Sequence, residues 1–373
     1  MARPKLIVAS SESSADQLYA SEFRAPDAFA FLESKGEKRL LLSDLEVDRG
    51  RSEARVDGVE SYSDVERSVR GERRKRPAMA RVLAAWLALH KVKSVLVPSD
   101  FPLGLARALK KEGVRLKPVK GIFWPERERK TAAQVRQIEA ALRIAEAGIE
   151  RAFEVLRSAV IRKDGRLSLG RRILTSEMVR IEVETAVVRA GGESRGDSIV
   201  AGGVQACDPH ARGSGSLRAH ELIILDVFPR DARSGYFGDI TRTVVRGRAG
   251  DAQRHMWETC LAGQEQALRA IKPGRSGAEI HEQVKRLFSE AGYPTEIRDG
   301  RWVGFFHGTG HGLGLEIHES PRFSDVEFFP GLVTTVEPGI YFPGIGGVRH
   351  EDVVVVTGRG TRILTKAAKP LEI

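Results

Sequence analysis

The sequence predicts an α/β chain of the α+β kind, in which a smaller N-terminal unit precedes two facing halves that each run helix, helix, strand, strand. Three observations carry this expectation. Long segments with apolar residues every three or four positions alternate with short β-branched runs. Two acidic pairs sit within or beside such runs, Asp226 with Asp239 and Glu337 with Glu351, thirteen and fourteen positions apart across turn sequence containing Gly and Pro. At 373 residues the chain also exceeds what one core usually organises.

In chain order, Lys5 to Ala9, Arg39 to Ser43 and Ser94 to Val97 read as short apolar strands, and Met79 to His90 and Leu103 to Lys111 as helices, the last stopped at Gly113. Pro125, in I-F-W-P-E-R, interrupts regular structure and marks a boundary, giving domains 1–125 and 126–373. The next helix spans roughly 131 to 160, with Val135, Ile138, Leu142, Ala145, Ile149, Phe153, Leu156 and Val160 on its core face. Thr131 with Gln134 fits a capping box at its start. A second helix over 175 to 190 ends at Gly191 and Gly192. The other half repeats this with helices over 251 to 271 and 276 to 291, Ser276 with Glu279 fitting a second box and Gly292 the stop.

Between Gly304 and Ser320 lie His307, His311 and His318, three of the nine histidines, with glycines around them. Imidazole both ligates metals and moves protons near neutral pH, and glycine lets a ligand approach the backbone. A solvated polar histidine among turn glycines is the ordinary alternative. The acids decide between them. Each lies within or beside a run that reads as a strand buried on both faces, where an unpaired carboxylate is costly. Lysine or arginine would serve as partners, but four acids and a His-rich segment suit divalent cations better. Two facing halves would bring both hairpins and the histidine segment to one centre.

With these motifs in view, the chain strongly resembles the pita-bread metallopeptidases, and within them the Xaa-Pro dipeptidase (prolidase) and aminopeptidase P group. His307 to Glu319 carries the resemblance, followed by T-V-E-P-G and V-R-H-E-D in order. It covers residues 130 to 373 firmly; the part before them resembles, more loosely, a creatinase-type N-terminal domain. The resemblance implies a dinuclear centre of Asp226, Asp239, His311, Glu337 and Glu351, with Asp239 and Glu351 bridging. It also implies that His307 and His318 contact the substrate and stabilise the tetrahedral intermediate, and that His210, Tyr341 and Arg349 line or brace the pocket. Glu337 is expected to accept the proton of a metal-bridging hydroxide's parent water.

Oxygen-rich ligation favours harder ions, so two Mn ions are expected, with Co or Zn as alternatives. The implied substrates are small peptides with proline second, whose tertiary amide demands a dedicated pocket. A dipeptidase is expected over an aminopeptidase P because the N-terminal part is short; a methionyl aminopeptidase or a non-catalytic peptide-binding module are further alternatives. One departure stands out. Where the family has Asp-x-Gly, this chain reads Asp226-Val227-Phe228 and then a longer turn, Arg230 to Arg233, which is expected to reshape one pocket wall; an arginine of this turn, His210 and Arg349 are the candidate cations for a dipeptide's free carboxylate.

The net charge of +10 and the basic run Val65 to Arg76 raise a rival reading as a nucleic-acid-binding module. The run lacks aromatics and contains Glu66 and Glu72, so a solvated basic face is expected instead. No signal or membrane-length apolar run is present, and Cys207 and Cys260 make no disulfide framework, so a cytoplasmic protein is expected; the resemblance implies a homodimer.

Overall fold

The computed structural model describes residues 3–70 and 76–373. The chain divides into two compact units, Met1–Arg127 and Glu128–Ile373. The first holds a six-stranded mixed sheet in the order Gly58–Ser61, Glu37–Leu42, Phe29–Ser34, Lys5–Ala9, Ser94–Val97, Arg115–Pro118. Period-two alternation feeds a core on each face. Leu6, Val8 and Leu32 pack with Trp86 and Leu83 of the helix Met79–Leu89, while Ile7 and Phe31 pack with Phe23 and Trp124. Of the basic run, residues 65–70 belong to the helix Tyr62–Arg70, and 71–75 lie outside the described residues.

In the second unit the helix Ala132–Ser158 packs against Ser176–Arg189, and Asp251–Ala270 against Gly277–Glu290. Thr131 and Gln134 form both halves of a capping box. At Ser276 the hydroxyl accepts from the Glu279 N–H, while the Glu279 carboxylate lies 3.7 Å from Arg275. The first helix stops earlier than its apolar stripe predicts. Ser158 bonds back to the Val155 carbonyl at 2.8 Å, competing with the helix ladder, and Val160 is 61% exposed in a small meander of Val160–Ile161, Leu167–Leu169 and Arg172–Ile173. Gly191 and Gly292 end their helices at φ +95°, where other residues are strained.

Each helix pair is followed by antiparallel strands. The first half supplies Ile199–Gly202, Leu222–Val227 and Ile240–Val245 in that order. The second supplies Glu319–Arg322, His311–Gly312, Val333–Val336, Asp352–Val356 and Thr361–Ile363, plus the pair Gly339–Phe342 with Gly346–Arg349. Leu222–Val227, Ile240–Val245 and Asp352–Val356 are buried throughout, as their apolar runs predict. The halves are joined across their middle. Glu351 N–H donates to Thr241 O at 3.1 Å, Arg349 N–H to Thr243 Oγ1 at 3.0 Å, and Thr243 Oγ1–H to Arg349 O at 2.9 Å. This seam holds the two acidic hairpins together. Among the described residues no helix is long and apolar enough to cross a membrane.

Candidate metal centre

Asp226 lies in the strand Leu222–Val227, Asp239 just before Ile240–Val245, Glu337 just after Val333–Val336, and Glu351 just before Asp352–Val356. Strand pairing brings these ends together with His311. One ligand atom each of Asp239, His311 and Glu351 lies within 4.8 Å of the others. Glu337 joins this triplet through His311, whose Nε2 is 3.2 Å from Glu337 Oε1 and 3.7 Å from Asp239 Oδ2. Asp226 stands to one side, its Oδ2 held at 2.7 Å by Arg349 Nη2, yet its charge acts on both Asp239 and Glu351.

Crowding these acids in a buried place perturbs them strongly. Burial, then the charges of Glu337 and Asp226, push Glu351 up to about 8, and burial with Glu351 beside it raises Asp239 well above the usual carboxylate range. Glu337 moves the other way. Burial opposes its charge, but the hydrogen bond and charge of His311 prevail and hold it down to about 2; His311, against its own burial, is drawn up to about 9 by Glu337. His311 Nδ1 meets Gly312 O at 3.1 Å and must donate there, which leaves Nε2 as the ligating nitrogen once deprotonated.

This donor set fits divalent metal. Asp226 Oδ1 and Glu351 Oε1 are buried without a hydrogen-bond partner among the described residues, a costly condition that a coordinated cation would relieve. Thr241 Oγ1–H fixes the other Glu351 oxygen at 2.8 Å and itself accepts from Arg349 Nε at 3.2 Å. Sequence reasoning passed over Thr241. Two positions after Asp239 on an extended segment, it falls on the same face, which is the signal that would have found it.

The other two motif histidines differ in what they have to offer. His307 is occupied by the protein: Nδ1–H donates to Gly308 O at 2.8 Å, so Nε2 accepts from Tyr341 Oη–H at 2.9 Å. Burial holds its pKa down to about 4, keeping the ring neutral. Tyr341 Oη also accepts from Arg349 Nη1 at 3.0 Å, so His307, Tyr341, Arg349 and Asp226 form one chain of hydrogen bonds. His318 stands edge-on to His311, ring centres 4.4 Å apart, exposed and lining the cleft. His210 is exposed on the cleft wall, where its backbone N–H bonds Asp208.

The cleft encloses about 1380 Å³. Phe228 lines it beside Asp226, as the departure from the family pattern implies, packed with Phe306 on a cluster that includes Ile199 and Tyr341. The Arg230 to Arg233 turn does not supply a pocket cation. Arg230 is buried, donating to Gly235 O at 3.1 Å and pairing with Glu193, and neither arginine lines the cleft. Arg349 lines it but is engaged by Asp226 and Tyr341. Arg322, which sequence reasoning missed, is exposed in the cleft on the strand partnering His311, with His311 and Arg322 in register.

Comparison with known proteins agrees with this geometry. The chain is 31% identical over 291 residues to an Xaa-Pro dipeptidase of Pyrococcus horikoshii, covering 76% of each chain. It is 36% identical over 228 residues to an Xaa-Pro dipeptidase of Pyrococcus furiosus, covering 60% of this chain and 62% of that one. In structure it resembles an Xaa-Pro dipeptidase from Bacillus anthracis, with a TM-score of 0.81 at 26% identity, covering 100% of this chain and 95% of the other. An X-Pro aminopeptidase from Thermotoga maritima shares the fold, with a TM-score of 0.83 at 24% identity and coverage of 100% and 97%. The fold is therefore the pita-bread fold with an N-terminal domain, as expected from the resemblance. The model of metallopeptidase family M24 matches residues 136–358, and this chain is a metallopeptidase of that family.

Proposed function

We propose that this enzyme hydrolyses the peptide bond before proline, acts best on Xaa-Pro dipeptides, and does so with two divalent cations held by Asp226, Asp239, His311, Glu337 and Glu351. The observation that carries the reading is the buried acid cluster with its two unpartnered oxygens beside His311. Bound there, the cations would activate a water and polarise the scissile carbonyl. Mn is the first choice for a set of four carboxylates and one imidazole, with Co or Zn as alternatives. Free thiols at Cys207 and Cys260 support a cytoplasmic setting, and a homodimer completes the reading.

The chain's own groups divide the remaining work. Glu337 would accept the proton of the attacking water and pass it onward. The leaving nitrogen of proline has no hydrogen and departs only when protonated, so the same proton is delivered there. His318, whose side chain makes no hydrogen bond recorded among the described residues, is free to meet the carbonyl oxygen as charge develops on it. His307 and Tyr341 brace Arg349, which holds Asp226 in place. Arg322 is the cleft cation for the carboxylate that a dipeptide presents directly after proline.

A panel of Xaa-Pro dipeptides, their C-terminal amides and Xaa-Pro-Yaa tripeptides, assayed with and without Mn²⁺, tests this. Free dipeptides are expected to be cleaved best, and amidation to weaken binding by about 1.5–3 kcal/mol, the worth of a hydrogen bond to a charged group. Arg322→Met should remove that discrimination while leaving bound metal unchanged. Equal cleavage of tripeptides and amides by the unmodified enzyme would shift the assignment to an aminopeptidase P.

A further inference from the structure

Beside the cleft, residues 128–130 are laid against the strand that carries the pocket side chains. Lys130 Nζ pairs with the Glu319 carboxylate, and both side chains are almost wholly buried, 2% and 5% exposed. Glu128 Oε1 accepts from Ser320 Oγ at 2.6 Å. The same segment is tied to the turn before Val333–Val336: Lys130 N–H donates to Gly331 O at 2.8 Å, and the Arg129 side chain through Nη1 to Pro330 O at 3.0 Å. Neither the acid cluster nor the proton path makes use of this pair.

A buried ion pair is weak evidence of a stabilising role, since desolvation of the two charges offsets most of their attraction. Its position suggests another purpose. The strand Glu319–Arg322 is irregular where it meets His311–Gly312: Gly312 is in register with Glu319, but His311 with Arg322, so Ser320 and Pro321 are extra residues on one side. Such a bulge breaks the ladder and re-aims the side chains around it. Here it lies between His318 and Arg322. The two residues that lead into it, Glu319 and Ser320, are the ones held by Lys130 and Glu128. Glu319 is also fixed from the other side, because it fills the space over Gly314, where an added Cβ would come within 2.3 Å of its Oε1.

We propose that Lys130, through its buried ion pair with Glu319, is a positioning residue that sets the bulged strand so that Arg322 and His318 face the cleft, and thereby sets the preference for a free carboxylate after proline. The preference for dipeptides rests on the functional reading above; the placing of His318 does not. Four proteins separate the possibilities: the unmodified enzyme, Lys130→Arg, Lys130→Met, and the double variant Lys130→Met with Glu319→Gln, which leaves no unpaired buried charge and keeps the test meaningful if Lys130→Met fails to fold. Each is assayed on an Xaa-Pro dipeptide and its amide, with bound Mn²⁺ and the urea midpoint measured alongside. The His318 imidazole resonance is followed by NMR in the diamagnetic zinc-loaded proteins.

The double variant is expected to lose about tenfold or more of the dipeptide-to-amide ratio, equivalent to one hydrogen bond to a charged group. The loss of the ratio should lie in KM, with bound metal little changed; displacement of His318 should lower kcat on the acid and the amide alike, and the His318 resonance should shift. Lys130→Arg should restore most of the ratio and the original resonance. A fall in the urea midpoint with the ratio and the His318 resonance unmoved would overturn the proposal, leaving a structural ion pair. If the unmodified enzyme shows no preference for the free acid, the dipeptidase reading fails, and the His318 resonance alone then decides whether Lys130 positions the strand.

Discussion

At the residue scale, the three motif histidines share one side chain but not one role, and the difference lies in which nitrogen is already taken. His311 spends Nδ1–H on Gly312 O and turns Nε2 to the acids; His307 spends both nitrogens on the protein; His318 spends neither on a hydrogen bond recorded among the described residues. His311→Ala is therefore expected to lose bound metal and activity together, because it removes a donor from the cluster. His318→Ala should keep the metal and lower kcat by about 10²–10³, the usual cost of removing a donor aimed at developing negative charge. Metal analysis of the dialysed, Mn²⁺-loaded variants beside steady-state kinetics checks the split. Loss of metal from His318→Ala would mean that the roles are wrongly divided.

At the scale of elements, close backbone approach is what lets the histidine strand reach the acids. A Cβ on Gly310 would come within 2.0 Å of Thr335 O, while Thr335 Oγ1 accepts from His311 N–H at 3.0 Å and lies 3.4 Å from Glu337 Oε1. Gly310→Ala should thus push apart the strands carrying His311 and Glu337, lowering stability by about 1–3 kcal/mol and weakening metal binding. Gly308→Ala is the control: its nearest neighbour would be 3.7 Å away, and it should change stability by no more than about 0.5 kcal/mol. Urea midpoints of the two variants measure the difference, and equal midpoints would refute the close-approach account. The same scale explains what the sequence made legible. Helices with capped starts and glycine stops, and acids on apolar runs, were visible because each is a local pattern. The bulge at Ser320 and Pro321 was not, since it exists only in the pairing with His311. Nor was the burial of Arg230 against Glu193; the resemblance did imply that Arg349 bonds the site's carboxylates, and the pairing shows that Asp226, 123 positions away, is the one it holds. Long-range pairing decides which arginine remains for substrate, and a sequence motif does not report it.

At the scale of the whole molecule, the acid cluster couples metal, protons and folding. Without metal, Glu351 binds its proton up to about pH 8 and His311 up to about 9, both above their ordinary values, whereas burial holds His307 down to about 4 and His350 down to about 3, so that these two count against proton uptake only below the ordinary histidine value; from about pH 7 to 9 the native chain therefore holds more protons at these sites than the unfolded one. A raised pKa contributes stability that is complete below the unfolded value and is lost as pH rises through the folded one. Glu337, held down to about 2, contributes in the opposite sense, but its share is already complete above its ordinary value and stays constant over this window. The metal-free protein should therefore lose stability as pH rises from 7 to 9. A divalent cation needs the deprotonated forms of Glu351, Asp239 and His311, so its affinity should grow over the same range as those protons leave. The gap in thermal midpoint between Mn²⁺-loaded and metal-free protein is thus expected to widen steadily from pH 7 to pH 9, and calorimetric titration with Mn²⁺ in buffers of different ionisation heat should register proton release on binding. Parallel midpoint curves, or binding without proton release, would show that these groups are not the ones the metal displaces protons from.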